Sequence, residues 1–143
     1  MITDLRSLKA ALAEIDAFDD DIQGLSYDLL DQIDPSLGAA VCPEFFAFFE
    51  EYPGADVGTP GPFIHHIETF YPDCLLELRA SLARTPSRPA VTMLHRILNS
   101  PDLADTLRAE LMSDLSRIVH DEHCDDAVVD LAMFIVEQHP LPT

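Results

Sequence analysis

Apolar residues in this chain recur every three or four positions nearly from end to end, a period that fits helices and not strands. Leu5, Leu8, Leu12 and Ile15 set it first, after Thr3 or Asp4, either of which can cap a helix. Ile22, Leu25, Leu29, Leu30 and Ile33 continue it over roughly Asp19 to Ile33, with Gly24 weakening the middle. Asp34 followed by Pro35 reads as a cap with proline at the first helical position. The run LGAAVCPEFFAFFEEY is apolar enough to be the most buried helix, kinked or divided at Pro43. No segment alternates apolar and polar residues with β-branched side chains, so strands are not expected.

YPGADVGTPGP, residues 52–62, is too rich in Pro and Gly for regular structure and reads as the main loop. Thr59 can cap the next helix, with Pro60 and Pro62 tolerated in its first turn, where amide donors are unpaired anyway. That helix, FIHHIETFY, carries Phe63, Ile64, Ile67, Phe70 and Tyr71 on its apolar face. Another restarts at Pro72 and ends at RTPSRP; three more follow, at about Pro89–Leu98, Asp102–Asp121 and Asp125–Gln138. The expectation is an all-α fold of about six to eight helices joined by short connections. A bundle and a short stack of antiparallel helical hairpins, HEAT-like arrangements included, both satisfy it. The plan is a single helical domain, 1–143: acidic helices to residue 51, the loop 52–62, helices over 63–138 and a tail, 139–143.

Charge is the next constraint. The chain carries 26 acids against 8 bases, a formal net charge of −18. No Lys or Arg occurs between Lys9 and Arg79, an interval holding fifteen carboxylates, whereas ten acids face six arginines from Arg79 onward. Such a surface repels nucleic acid and anionic lipid and attracts basic proteins. No apolar run approaches the roughly 20 residues of a membrane span. MITDLRSLKAALAEID has acids inside its apolar pattern and does not read as a signal peptide. Cys42, Cys74 and Cys124 are far apart and form no CxxC, which suits reduced thiols in a cytoplasm better than a disulfide framework.

Motifs that would carry chemistry are weak. His65 and Glu68 share a helix face while His66 points about 100° away, so the adjacent histidines do not converge on one metal. A mutual hydrogen bond or a tether to a neighbouring helix suits His65 and Glu68 better. HDEHCDD places His120, His123 and Cys124 close together, one ligand short of a closed zinc site. His120 suits a helix end, where imidazole meets the carbonyl dipole. Asp16, Asp19, Asp20 and Asp21 point around a helix and read as a solvated face, not a magnesium cluster. Phe45, Phe46, Phe48 and Phe49 read as core, with one or two rings left for a partner. The expectation is a non-enzyme without metal or cofactor.

DVGTPGPFIHHIE and TMLHRILNS resemble two blocks of a family of small all-helical bacterial immunity proteins from polymorphic toxin systems. The likeness spans about a third of the chain, from Tyr52 to Asn99, and does not extend over residues 1–40. His66 is not part of the family's pattern. The resemblance implies a cytoplasmic protein that binds and neutralises a toxin domain. The matching positions are Gly58, Thr59, Pro60, Gly61, Pro62, His65, Glu68, Arg96 and Asn99, with architectural roles. Glycines and prolines set the entry to the helix, His65 and Glu68 pin it, Arg96 offers a bidentate bond to a carboxylate or to loop carbonyls, and Asn99 caps its helix. The expected contact surface is Asp19, Asp20, Asp21, Asp28, Asp31, Glu50, Glu51 and Asp56, with Tyr52 and Phe63 as aromatic anchors. The partner is then a cognate toxin or another basic protein, not nucleic acid or membrane, and the alternative role is an acidic adaptor or chaperone. Oligomeric state stays open, because an exposed phenylalanine serves a homodimer as well as a heteromer.

Overall fold

A computed structural model describes residues 1–139; residues 140–143, most of the expected tail, lie outside the described residues. Eight α-helices follow one another among these: α1 (Leu5–Ala13), α2 (Ile22–Asp31), α3 (Cys42–Glu51), α4 (Pro62–Glu68), α5 (Leu75–Arg84), α6 (Arg88–Leu98), α7 (Asp105–Val119) and α8 (Asp126–Gln138). A 3-10 helix, Pro35–Val41, precedes α3, so the division near Pro43 falls at Cys42 with Pro43 inside the first turn. Four caps follow from local sequence. Asp4, Asp34, Ser87 and Asp125 each accept a backbone N–H from the turn they open, at 2.7–3.2 Å. Extended pairing among the described residues is confined to an isolated bridge between Ile2 and Ile33. No described helix is long and apolar enough to cross a membrane.

The helices stack in two rows. Each helix packs on the one two positions ahead, so α1, α3, α5 and α7 form one row and α2, α4, α6 and α8 the other. The rows join through α5–α6, α6–α7, α7–α8 and α3–α6. The all-α expectation holds, and of the consecutive pairs α5–α6 and α7–α8 pack directly as hairpins.

α3 sits between neighbours on several sides, touching α1, α5, α6 and the 3-10 helix. Phe45, Phe46, Phe48 and Phe49 are therefore all buried, none exposed by more than 5%. The expectation of one or two exposed rings fails because all four lie on the arc of α3 turned to its neighbours, while Pro43, Ala47 and Glu51 take the solvent face. Phe63 of α4 packs against Phe45 and Phe48, with ring centroids 4.9 and 5.9 Å apart. Each such ring contributes about 2–3 kcal/mol by leaving water. α5 and α7 are also joined by charge. Arg79 donates to both oxygens of buried Asp114, at 2.8 and 3.3 Å, and to Glu110 at 2.9 Å. Arg117 adds a longer bond to Asp114, 3.4 Å.

The GTPGP turn closes on itself more tightly than expected. Thr59 does not cap α4; Gly61 stands at the cap position and Pro62 opens the helix. Gly58 has φ +116°, and a Cβ on Gly61 would stand 1.9 Å from the Val57 carbonyl oxygen. The chain doubles back so closely that only hydrogen fits there. Gly61→Ala is therefore expected to destabilise the fold by about 2–4 kcal/mol, with Thr59→Ala nearly neutral. Urea unfolding of the two variants measures the difference.

Candidate functional site at the odd-to-even edge

The connections that leave the odd helices gather at one edge of the two rows. The odd-to-even connections are residues 14–21, 52–61, 85–87 and 120–125. Specific contacts draw them together. The Arg88 amide donates to the Pro53 carbonyl at 2.8 Å, joining the α5–α6 and α3–α4 connections. A Cβ on Gly54 would lie 2.9 Å from an Asp125 carboxylate oxygen, so the α7–α8 connection reaches the same loop. Phe18 stacks edge-on against Tyr52 at 6.1 Å, joining the α1–α2 connection.

These four connections hold nine carboxylates and no Lys or Arg; the even-to-odd connections, 32–41, 69–74 and 99–104, hold three. The acids are thus sorted by edge more sharply than by half of the chain. Asp121, Glu122 and Asp125, from the better-balanced second half, join Asp16, Asp19, Asp20, Asp21 and Asp56 from the first.

An open cleft of about 550 Å³ lies in this edge, lined by Phe18, Asp19, Asp20, Gln23, Asp56 and Arg88 among others. Arg88 is its one base, and its guanidinium stands 3.8 Å from Asp56, beyond hydrogen-bond reach. Asp56 also accepts the Gly58 amide at 2.9 Å, which fixes its carboxylate against the turn. Phe18 is 65% exposed beside these acids. It is the feature the sequence reading missed, although a lone phenylalanine inside DAFDDD has no place in the apolar period around it.

The expected contact residues separate into groups. Asp19, Asp20 and Asp56 line the cleft, and Asp21 and Glu51 are exposed at the same edge. Tyr52 is half-buried and supports Phe18. Asp28 and Asp31 are exposed, but α2 has carried them about 9–14 Å along its axis toward the other edge, at 1.5 Å per residue. Glu50 is turned inward: it accepts from Arg84 at 3.1 Å and from Ser81 at 3.0 Å, so it ties α3 to α5 instead of facing a partner. Phe63 is wholly buried and belongs to the core, not to an aromatic anchor.

The helix-pinning positions behave differently from expectation as well. His65 Nδ1 and Glu68 Oε1 are 3.7 Å apart, too far for a hydrogen bond. Glu68 is held instead by Arg96, whose Nε donates to Oε2 at 2.7 Å, one bond where a bidentate pair was considered. Asn99 occupies the end of α6 in right-handed geometry, its amide donating to the His95 carbonyl at 3.1 Å. His120 Nδ1 lies 2.8 Å from the Ser116 carbonyl, the helix-end contact its position suggests. His123 is exposed. Among the described residues, no three His, Cys, Asp or Glu side chains are grouped to hold a metal ion.

His66 is half-buried between Phe45 and Phe70, with ring centroids at 5.9 and 5.4 Å. Burial lowers its pKa below the ordinary 6.5, and burial followed by the nearby His139 does the same at His95. Between the folded and unfolded pKa values the unfolded chain binds more protons, so stability falls as pH drops below the unfolded value. Urea midpoints at about pH 7.5 and about pH 5.5 should show that fall, with a shallower one in His66→Phe. The chain matches no protein-family model, no curated protein and no solved structure.

Proposed function

We propose that this chain is an immunity protein, which binds a bacterial toxin domain and neutralises it without catalysis of its own. The observation that carries the reading is the acidic edge: nine carboxylates on three of its four adjoining connections, with exposed Phe18 beside a cleft lined by Asp19, Asp20 and Asp56. A toxin that cleaves nucleic acid needs a basic cleft, and an acidic edge is its electrostatic complement. Opposed fields speed encounter, while a few desolvated aromatic contacts hold the complex once formed. Phe18 has the properties of such a contact. The loose Arg88–Asp56 pair leaves Asp56 open to a competing guanidinium from the partner. The resemblance of DVGTPGPFIHHIE and TMLHRILNS to immunity proteins supports the same reading, and a cytoplasmic location goes with it.

The second reading is an acidic adaptor or chaperone for another basic protein. The two-row stack favours it to the extent that stacked helical hairpins present extended surfaces to partners in many contexts. Co-expression with the product of the adjacent gene, followed by pull-down and a toxicity assay, separates the two. Rescue of growth supports immunity; capture of a non-toxic partner supports the adaptor.

Within the immunity reading, the triple variant Asp19→Lys, Asp20→Lys, Asp56→Lys is expected to slow association by about tenfold or more and to flatten its salt dependence. Phe18→Ser should act mainly on dissociation. Stopped-flow binding at two ionic strengths measures both, and unchanged rates in both variants would sink the assignment of this edge.

A further inference from the structure

A second cleft, of about 490 Å³, opens on the opposite edge, between the end of α4 and the end of α6. Glu68, Tyr71, Met93, Arg96, Ile97 and Asn99 line it, and it shares no residue with the acidic cleft. Three of the positions singled out in the sequence, Glu68, Arg96 and Asn99, therefore meet here.

Their hydrogen-bonding capacity is only partly used. Among the described residues, the bond from Arg96 Nε to Glu68 is the single hydrogen bond of that guanidinium, which leaves both terminal amino groups as donors. Arg79, Arg84 and Arg108 differ, each placing at least one terminal amino group on a protein acceptor. Glu68 Oε1, 3.7 Å from His65, remains an acceptor. Asn99 is exposed and adds one amide donor group and one acceptor. Met93 and Ile97 supply an apolar wall, and Tyr71 adds an exposed ring.

We propose that this cleft binds a stretch of peptide main chain bearing one aliphatic side chain. Charge decides the class of ligand. The Arg96–Glu68 pair sums to zero, so the cleft has little net charge of its own. An entering carboxylate meets Glu68 and the field of a chain carrying −18, and an ammonium group meets Arg96. An uncharged amide, donor and acceptor together, answers the arginine fork, the free carboxylate oxygen and Asn99 without opposing either charge. A leucine-sized side chain matches the Met93–Ile97 wall, and the volume falls within the range of small-ligand sites. The inference stands apart from the toxin reading, since a partner peptide can occupy this cleft whether or not the acidic edge binds a toxin.

The test is an amide-resolved NMR titration of the whole chain with acetyl-Gly-Leu-Gly-amide. Acetyl-Gly-Gly-Gly-amide and acetyl-leucine, a carboxylate at neutral pH, serve as comparisons. The expected result is saturable shifts confined to Tyr71, Met93, Arg96, Ile97, Asn99 and their neighbours, with a Kd on the order of 1 mM. Both comparison ligands should bind at least about fivefold more weakly. Asn99→Ala removes an exposed side chain that makes no hydrogen bond, and Arg96→Lys keeps a charge beside Glu68; each should fold and lose affinity. Equal or tighter binding of the carboxylate, shifts elsewhere, no saturation, or wild-type affinity in both variants would overturn the proposal.

Discussion

The two rows are held together by the broad aromatic face of α3, whose opposite stripe, Pro43, Ala47 and Glu51, is exposed. A narrow apolar stripe needs one neighbour, but Phe45, Phe46, Phe48 and Phe49 spread over nearly half of α3 and need several to bury them. α1, α5, α6 and the 3-10 helix cover that arc and tie α3 to its neighbours in both rows. Phe63 extends the same aromatic cluster into the even row through α4. The acidic edge depends on this arrangement, because its connections adjoin only while the helices they leave stay in register.

Charge within the stack serves a different end from charge at its edge. Glu50, Asp114 and Glu68 each meet an arginine from another helix and hold neighbours together. Asp19, Asp20 and Asp21 meet no arginine and remain in water. These three are consecutive on one connection, and their mutual repulsion is tolerable because all are exposed, where the high dielectric of water weakens it.

Helix content, order and most boundaries were legible because apolar period and proline position are local properties. Asp34, Asp125 and the entry to α6 could be read for the same reason. The edge was not legible, since it arises from which helices lie side by side, and no three- or four-residue spacing encodes that. Glu50 looked like one more exposed acid until Arg84, far along the chain, arrived beside it. Phe63 looked available because it follows a loop, but the turn that precedes it folds it inward. Thr59 fits the residue preference of a cap, yet the close approach of Gly61 to Val57 leaves it two residues too early. Phe18 is the reverse case: an aromatic with no partner in the period, left over and outward.

Residues 18–21 and most of 120–125 are exposed, so these two connections can change length without moving the rows behind them. Insertions and deletions are best tolerated in such exposed turns. A lineage could therefore remodel one rim of the molecule, residue by residue, while inheriting an unchanged aromatic interior. Variation confined to that rim would be the evolutionary trace of a frame held constant under a surface free to diverge.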